Sequence, residues 1–233
     1  MDIRAFHQQL DLRIAQYDLL GHPFYQAWSA GQLTREDLRA YAAEYFHQVD
    51  GFPACLRAFA ARLDDGPARR AVLANLADEE GRDSQCGGGR PHPELWLDFA
   101  EGMGANREAV RHSRRCSAVA DLTAHFHAVA AEGTPEAALA AFYAFESQVP
   151  RVAQEKARGL RASYAADEKT CSYFTLHAMA DIYHANVWRE LLAHRIEADP
   201  RCAETALNAA EDAAKALWTA LDGIEAERLA RAA

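Results

Sequence analysis

Apolar residues recur every three to four positions along most of the chain, the spacing at which side chains line one face of an α-helix. Runs in which β-branched residues alternate with polar ones are scarce, and this disfavours strands. The pattern therefore predicts an all-α protein. We expect helices at about residues 3–18, 22–30, 34–63, 66–81, 92–103, 105–130, 134–163, 170–196 and 200–230.

Helix start signals support several of these boundaries. Thr34 precedes Asp37 with the spacing of a capping box, and Thr134 and Asp199 each precede a proline, which suits the first position of a helix. No repeat, low-complexity segment or clear linker divides the sequence. We therefore expect one helical domain, a bundle, over residues 1–233.

Charge and cysteine content narrow the class of protein. Half of the 233 residues are apolar, enough for a sizeable core, and the formal net charge of -9 argues against a nucleic-acid or anionic-membrane surface. No apolar run reaches the roughly 18 residues of a membrane helix, and the N-terminus lacks the apolar core of a signal peptide. We therefore expect a cytoplasmic protein. The cysteines are odd in number and form no Cys-x-x-Cys pair, which indicates neither a disulfide framework nor a zinc ribbon.

Three side chains of the types that bind metals share one face of the helix expected at 170–196. His177, Asp181 and His184 lie at positions i, i+4 and i+7, so they project together. An imidazole–carboxylate–imidazole row suits a transition metal. An exposed polar stripe is the alternative that the spacing leaves open.

Two further segments carry candidate ligands. Glu146 is the one carboxylate of an alanine-rich, apolar stretch, where a buried acid is costly unless it is paired or bound to a metal. Glu79 lies among the acids that end one helix, and His92 begins another. The alternatives are a solvated helix end for Glu79, a helix cap for His92, and access to solvent past small alanines for Glu146.

Joined together, these residues form a set drawn from several helices, with the chemistry of carboxylate-bridged di-iron or di-manganese sites. The absence of cysteine from the set argues against structural zinc. The candidate metal ligands are Glu79, His92, Glu146, His177, Asp181 and His184.

The order of these motifs resembles the heme-oxygenase-like di-metal oxidases, in the branch typified by the chlamydial protein associating with death domains. The resemblance implies a heme-oxygenase-like, TenA-like helical bundle without heme. It also implies that the six residues bind two metal ions, iron alone or iron with manganese, and that dioxygen is a co-substrate. The matching stretches are His22-Pro-Phe-Tyr25, Asp78-Glu-Glu-Gly81, His92-Pro-Glu-Leu-Trp96, Glu146-Ser-Gln148 and His177-x3-Asp181-x2-His184.

Members of that branch make p-aminobenzoate for folate biosynthesis by an oxygen-dependent, self-sacrificing route, in which a protein tyrosine supplies the ring and a lysine the amino group. The resemblance places these catalytic roles on Tyr25 and on Lys156, ten residues after Glu146. It implies an oxidoreductase of few turnovers that needs an external reductant, on a scaffold that commonly forms homodimers. The alternatives are a Tyr25 that only packs beside Trp28 and a solvated Lys156 paired with Glu155.

Two features depart from the family pattern. Phe145 replaces the tyrosine that precedes the middle glutamate ligand, although Tyr143 lies two residues earlier. The insertion 86–91, Cys-Gly-Gly-Gly-Arg-Pro, lengthens the gap between Glu79 and His92, and we expect its flexibility to let His92 reach the site. The choice of Glu79 over Glu80 rests on motif position.

Three other functions stay open at the level of sequence. The first is a di-iron oxygenase that acts on an external amine or fatty acid. The second is a metal-free protein that resembles the pyrroloquinoline-quinone synthases, and six intact ligands count against it. The third is a non-enzymatic helical interaction protein, which would bind no metal.

Overall fold

The computed structural model describes residues 2–82 and 89–232, and every regular element in these two ranges is helical. The predicted all-α class is therefore confirmed. The α-helices are α1 (Ile3–Ala15), α2 (Pro23–Ser29), α3 (Arg35–Arg62), α4 (Pro67–Glu79), α5 (His92–Gly102), α6 (Arg107–Arg111), α7 (Ser117–Glu132), α8 (Pro135–Glu146), α9 (Val149–Tyr164), α10 (Glu168–Ala198) and α11 (Ala203–Ala232). Single 3₁₀ turns lie at Leu19–Gly21 and Pro200–Cys202.

Helix α8 lies in the middle of the bundle. Every residue from Glu136 to Glu146 is buried, since α10 and α11 both pack against this short helix. Its alanines keep the surface of α8 flat, which allows close packing of the neighbouring helices. Helix α10 also packs on α5 and α9, and α3 packs on α4, α5 and α7. These contacts bring the end of α4, the start of α5, the end of α8 and the middle of α10 together.

The helix starts follow the signals in the sequence. Asp37 N donates to Thr34 Oγ1 over 3.1 Å and Thr34 N donates to Asp37 Oδ2 over 2.9 Å, which completes the predicted capping box of α3. Thr134 caps α8 with Pro135 in the first turn, as predicted. Asp199 caps the 3₁₀ turn that precedes α11.

The single helix predicted at 105–130 is wrong, because the chain forms α6 and α7 with a break at residues 112–116. Ser113 Oγ donates to Val110 O and to Ala43 O, so it competes for carbonyl groups near the end of α6. Cys116 N donates to Glu44 Oε2 over 2.7 Å. Contacts with α3 therefore hold this segment out of a helix.

The single helix predicted at 134–163 is also wrong, because α8 ends at Glu146 and α9 begins at Val149. Pro150 has no N–H group for a helical hydrogen bond, and it lies in the first turn of α9, where none is needed. Glu146 and Lys156 consequently lie on two different helices.

No helix in residues 2–82 and 89–232 combines the length and the apolarity needed to span a membrane. Helices α3, α10 and α11 are 28, 31 and 30 residues long, but they carry charged side chains along their length. The single-domain interpretation of residues 1–233 stays a prediction.

Candidate functional site

One face of α10 carries the predicted row of ligand-type side chains. His177, Asp181 and His184 are at most 4% exposed. The row is therefore buried, and the alternative of an exposed polar stripe is wrong. Tyr173 and Trp188 extend the same buried face at the two ends.

Glu79, His92 and His177 form the first half of a compact polar cluster. Their ligand-type atoms all lie within 4.8 Å of one another, and Glu79 Oε2 is 2.9 Å from His92 Nδ1. His177 Nδ1 lies 2.7 Å from the carbonyl oxygen of Tyr173, so Nδ1–H donates there and Nε2 remains for a cation. Burial opposes ionisation of Glu79, but the neighbouring His92 outweighs it and lowers the pKa of this carboxyl.

His184 is the centre of the second half. Its Nδ1 lies 3.5 Å from Asp181 Oδ1 and 4.0 Å from Glu146 Oε1, while its Nε2 lies 3.1 Å from Asp78 Oδ2. Asn75 Nδ2 donates to Glu146 Oε1 over 3.3 Å, and Trp188 Nε1 donates to Glu146 Oε2. The structure thus brings all six predicted metal ligands into one buried cluster, with three of them in each half.

The cluster has the properties of a cation site. His92 Nδ1, Asp78 Oδ2, Asp181 Oδ1 and His184 Nδ1 are buried. A polar atom lies near each of them, but none makes an aligned hydrogen bond within the described residues. Burial raises the pKa of Glu146 to about 8. His184 lowers this pKa, while the nearby carboxylates of Asp181 and Glu79 raise it. Burial works against protonation of His184, yet the surrounding carboxylates raise its pKa to about 12. Buried nitrogen and oxygen donors with surplus negative charge fit iron or manganese.

The structure distinguishes Glu79 from Glu80. Glu80 turns outward and pairs with Arg57 and Arg82, whereas Glu79 is buried beside His92. Motif position had indicated the same choice.

Gly81 explains how His92 reaches the site across the longer gap. Its φ of +67° is left-handed, and an added Cβ would collide with the backbone of Arg90 and Pro91. The backbone at Gly81 therefore touches the backbone at Arg90 and Pro91, and this contact places His92 next to Glu79. The predicted flexibility of the insertion falls largely on Cys86 to Gly88, which lie outside the described residues.

A second buried cluster surrounds Lys156. Its Nζ donates to Tyr25 Oη over 2.8 Å and to Tyr41 Oη over 2.6 Å, and the two phenol oxygens lie 3.0 Å apart. Nζ is also 4.2 Å from the centre of the Tyr25 ring. Burial lowers the pKa of Lys156 well below its usual value and raises that of Tyr25. The alternative of a solvated Lys156 paired with Glu155 is wrong, because Glu155 pairs with Arg158.

A small cavity of about 30 Å³ adjoins this cluster. Tyr25, Lys156, Phe145 and Tyr173 are among the residues that line it, so Phe145 faces the space where the family has a tyrosine. Tyr173 also stacks on His177 with the ring centres 3.9 Å apart. Tyr173 therefore contacts both the metal-type cluster and the lysine cavity. Tyr143 does not replace the missing phenol, since its hydroxyl donates to Asp11 near the surface.

The sequence interpretation missed Asp78, Tyr41 and Trp188. Asp78 directly precedes Glu79, and Trp188 follows His184 by four positions, so helical spacing contained a signal for each. Tyr41 carried no comparable signal, because an aromatic residue at helical spacing is ordinarily a core residue.

Known proteins with a similar sequence bear on this site. A sequence family described as iron-containing redox enzymes matches residues 39–218. A 4-aminobenzoate synthase from Chlamydia trachomatis is 36% identical over 93% of this chain and 90% of that protein. A 4-aminobenzoate synthase from Nitrosomonas europaea is 36% identical over 96% of this chain and 92% of its own length. A solved TenA homolog from Pseudomonas syringae has a TM-score of 0.82 at 16% identity, covering 96% of this chain and 95% of that one, which shows a shared fold.

Proposed function

The chain belongs to the family of iron-containing redox enzymes, and on this premise we propose that it makes 4-aminobenzoate from its own Tyr25 and Lys156. Membership confirms the resemblance predicted from the motifs and makes the chain an oxidoreductase. The observation that carries the proposal is the buried contact between Lys156 Nζ and Tyr25 Oη, 2.8 Å long.

The chemistry of the product matches these two side chains. 4-Aminobenzoate contains a benzene ring with one attached carbon, which is also the carbon skeleton of the Tyr25 side chain. The Cα–Cβ bond of Tyr25 breaks and Cβ is oxidised to the carboxylate. The phenol oxygen leaves as water and Nζ of Lys156 takes its place. Oxidation of Cε to an aldehyde breaks the Cε–Nζ bond, and Cα of residue 25 takes up a hydrogen in place of Cβ, as in glycine. Dioxygen is the oxidant and is reduced to water, with an external reductant supplying the remaining electrons.

The surroundings of Lys156 favour its amine as a nucleophile. The centres of five aromatic rings lie within 6 Å of Nζ, and no carboxylate in the described part of the chain bonds to it. This burial holds the pKa of Lys156 well below its ordinary value, so the neutral form, which carries the reactive lone pair, is populated. The two phenols hold Nζ beside the hydroxyl of Tyr25, 4.2 Å from the centre of its ring.

We propose that the six ligands hold two metal ions, iron alone or iron with manganese. When bound, two reduced ions would supply electrons and open coordination positions for dioxygen. Glu79, His92 and His177 would hold one ion, and Glu146, Asp181 and His184 the other. Tyr173, which stacks on His177 and lines the cavity of Lys156, would lie between these ions and the reacting pair.

The size of the cavity supports the protein itself as the substrate. A space of about 30 Å³ accommodates dioxygen or water, but neither a fatty acid nor an aromatic amine. Because Tyr25 and Lys156 are consumed, each chain would form one product molecule.

The experiment is aerobic incubation with ferrous iron and a reductant, followed by measurement of 4-aminobenzoate per chain. We expect up to one product per chain for the wild type, and none for Tyr25→Phe, for Lys156→Arg or without dioxygen. Lys215→Arg is the matched control, because Lys215 is an exposed lysine far along the chain on α11. Many turnovers on an added amine, with Tyr25→Phe and Lys156→Arg still active, would contradict the proposal.

A further inference from the structure

Asp78 and Glu79 are consecutive buried carboxylates at the end of α4, and each faces a different histidine. Glu79 Oε2 lies 2.9 Å from His92 Nδ1, and Asp78 Oδ2 lies 3.1 Å from His184 Nε2. Asp78 is only 5% exposed. A carboxylate that is buried this deeply next to one ring nitrogen needs a role, because its burial is costly.

We propose that Asp78 is a positioning residue that holds His184 from outside the metal site, so that His184 binds its ion through Nδ1. The proposal rests on the metal centre proposed above. It adds a seventh residue to that centre and assigns the ring nitrogen through which His177 and His184 each bind an ion.

The two nitrogens of His184 have different surroundings. Nδ1 is buried, makes no aligned hydrogen bond within residues 2–82 and 89–232, and faces Asp181 Oδ1 and Glu146 Oε1 at 3.5 and 4.0 Å. Nε2 lies 3.1 Å from Asp78 Oδ2, a buried oxygen that makes no aligned hydrogen bond within the described residues, so this nitrogen is the nearest group that can donate to it. With the proton on Nε2 directed at Asp78, a cation beside Asp181 and Glu146 would replace the proton on Nδ1 and bind its lone pair.

His177 has the opposite arrangement. Its Nδ1 is held by the carbonyl oxygen of Tyr173 over 2.7 Å, so Nε2 is the nitrogen left for an ion. The partner of His177 is a neutral carbonyl, whereas the partner of His184 is a carboxylate. A charged partner makes the imidazole a stronger ligand, so Asp78 strengthens the His184 half of the site selectively.

The experiment is anaerobic titration with cobalt(II), whose visible absorption reports the number and type of its ligands. The variants are Asp78→Asn and, as the matched control, Glu80→Gln, which also removes one negative charge from the end of α4 but lies outside the cluster. We expect two ions in all three proteins. One of the two affinities should fall about 10- to 100-fold in Asp78→Asn and in no other protein.

Each other result of the titration overturns the inference. Equal affinities in Asp78→Asn and Glu80→Gln would mean that Asp78 does not support His184. A single bound ion in Asp78→Asn at saturation would mean that Asp78 is itself a ligand. A wild type that binds no cobalt would instead remove the metal centre altogether.

A measurement on the unaltered protein covers the case of an Asp78→Asn variant that fails to fold. Zinc is added to protein with nitrogen-labelled histidine, and nuclear magnetic resonance identifies the ring nitrogen that binds the ion. We expect coordination through Nδ1 at His184 and through Nε2 at His177. Coordination through Nε2 at His184 would overturn the proposal.

Discussion

The indole Nε1 of Trp188 donates a hydrogen bond to Oε2 of Glu146, and both side chains are buried where α10 crosses the end of α8. Asn75 Nδ2 donates to the other oxygen of the same carboxylate. Glu146 is therefore held from two sides before any cation binds. Because of this bond, a buried core residue, Trp188, fixes the orientation of a proposed metal ligand, Glu146.

Trp188→Phe should weaken both the fold and metal binding. The change removes the donor to Glu146 and part of a fully buried side chain, so we expect the free energy of unfolding to fall by about 1–3 kcal/mol. A carboxylate that has lost its orienting hydrogen bond binds metal about 10-fold more weakly. Denaturant unfolding and cobalt titration measure the two effects.

Trp96→Phe is the control for this prediction. Trp96 is equally buried, and its Nε1 donates over 2.8 Å to a backbone oxygen, Ala42 O, and not to a ligand side chain. It should lose comparable stability and keep the wild-type metal affinity. If both variants lose metal affinity alike, the bond between Trp188 and Glu146 has no specific role.

Gly81→Ala should separate His92 from Glu79. The new Cβ meets the backbone of Arg90 and Pro91, and the left-handed φ adds strain, so we expect the free energy of unfolding to fall by about 3 kcal/mol. The variant should also bind one metal ion fewer than the wild type. Gly104→Ala provides the control, because Gly104 is also left-handed but has open space around it. Its free energy of unfolding should fall by about 1 kcal/mol, and it should still bind both ions.

Lys156→Met should stabilise the protein near neutral pH. The folded state lowers the pKa of Lys156, so the unfolded chain binds more protons and the buried amine costs stability below the usual lysine pKa of 10.5. We expect the free energy of unfolding to rise by about 1 kcal/mol at pH 7, and this gain should shrink as the pH rises towards 10.5. Unfolding of wild type and variant at several pH values measures it.

Lys215→Met controls for the loss of a positive charge, since Lys215 is exposed. It should show no such gain. A Lys156→Met protein less stable than wild type at pH 7 would contradict the account of a costly buried amine.

Metal ions should raise the melting temperature. An ion that binds only the folded state adds about 2.7 kcal/mol per site at roughly 100 times its Kd. Asp181→Asn should reduce this rise, because one of the proposed ligands has lost its charge. Thermal unfolding with and without manganese measures both. Glu80→Gln should respond as the wild type does.

The local pattern predicted the parts of the site that one helix can specify. The spacing of His177, Asp181 and His184 placed them on one face, and the cost of a buried acid singled out Glu146. Pro150 is a sequence signal for the break before α9, although a single helix was predicted at 134–163. The break before α7 has no such signal, because Ser113 and Cys116 are held by residues of α3.

The rest of the site depends on contacts between distant segments. His92 reaches Glu79 only because the backbone at Gly81 touches Arg90, a property of the loop that composition does not reveal. Tyr25 and Lys156 lie 131 positions apart, and only the family resemblance paired them. Periodicity identifies a helix face, but it does not identify the residue on another helix that meets it.

The most direct test of the central claim follows the atoms of Tyr25 and Lys156 into the product. Protein made with ring-labelled tyrosine and side-chain-nitrogen-labelled lysine is incubated aerobically with ferrous iron and a reductant in unlabelled buffer. We predict 4-aminobenzoate that carries both labels, and peptides around Tyr25 and Lys156 that have lost the corresponding mass. Unlabelled 4-aminobenzoate beside intact Tyr25 and Lys156 would contradict the account.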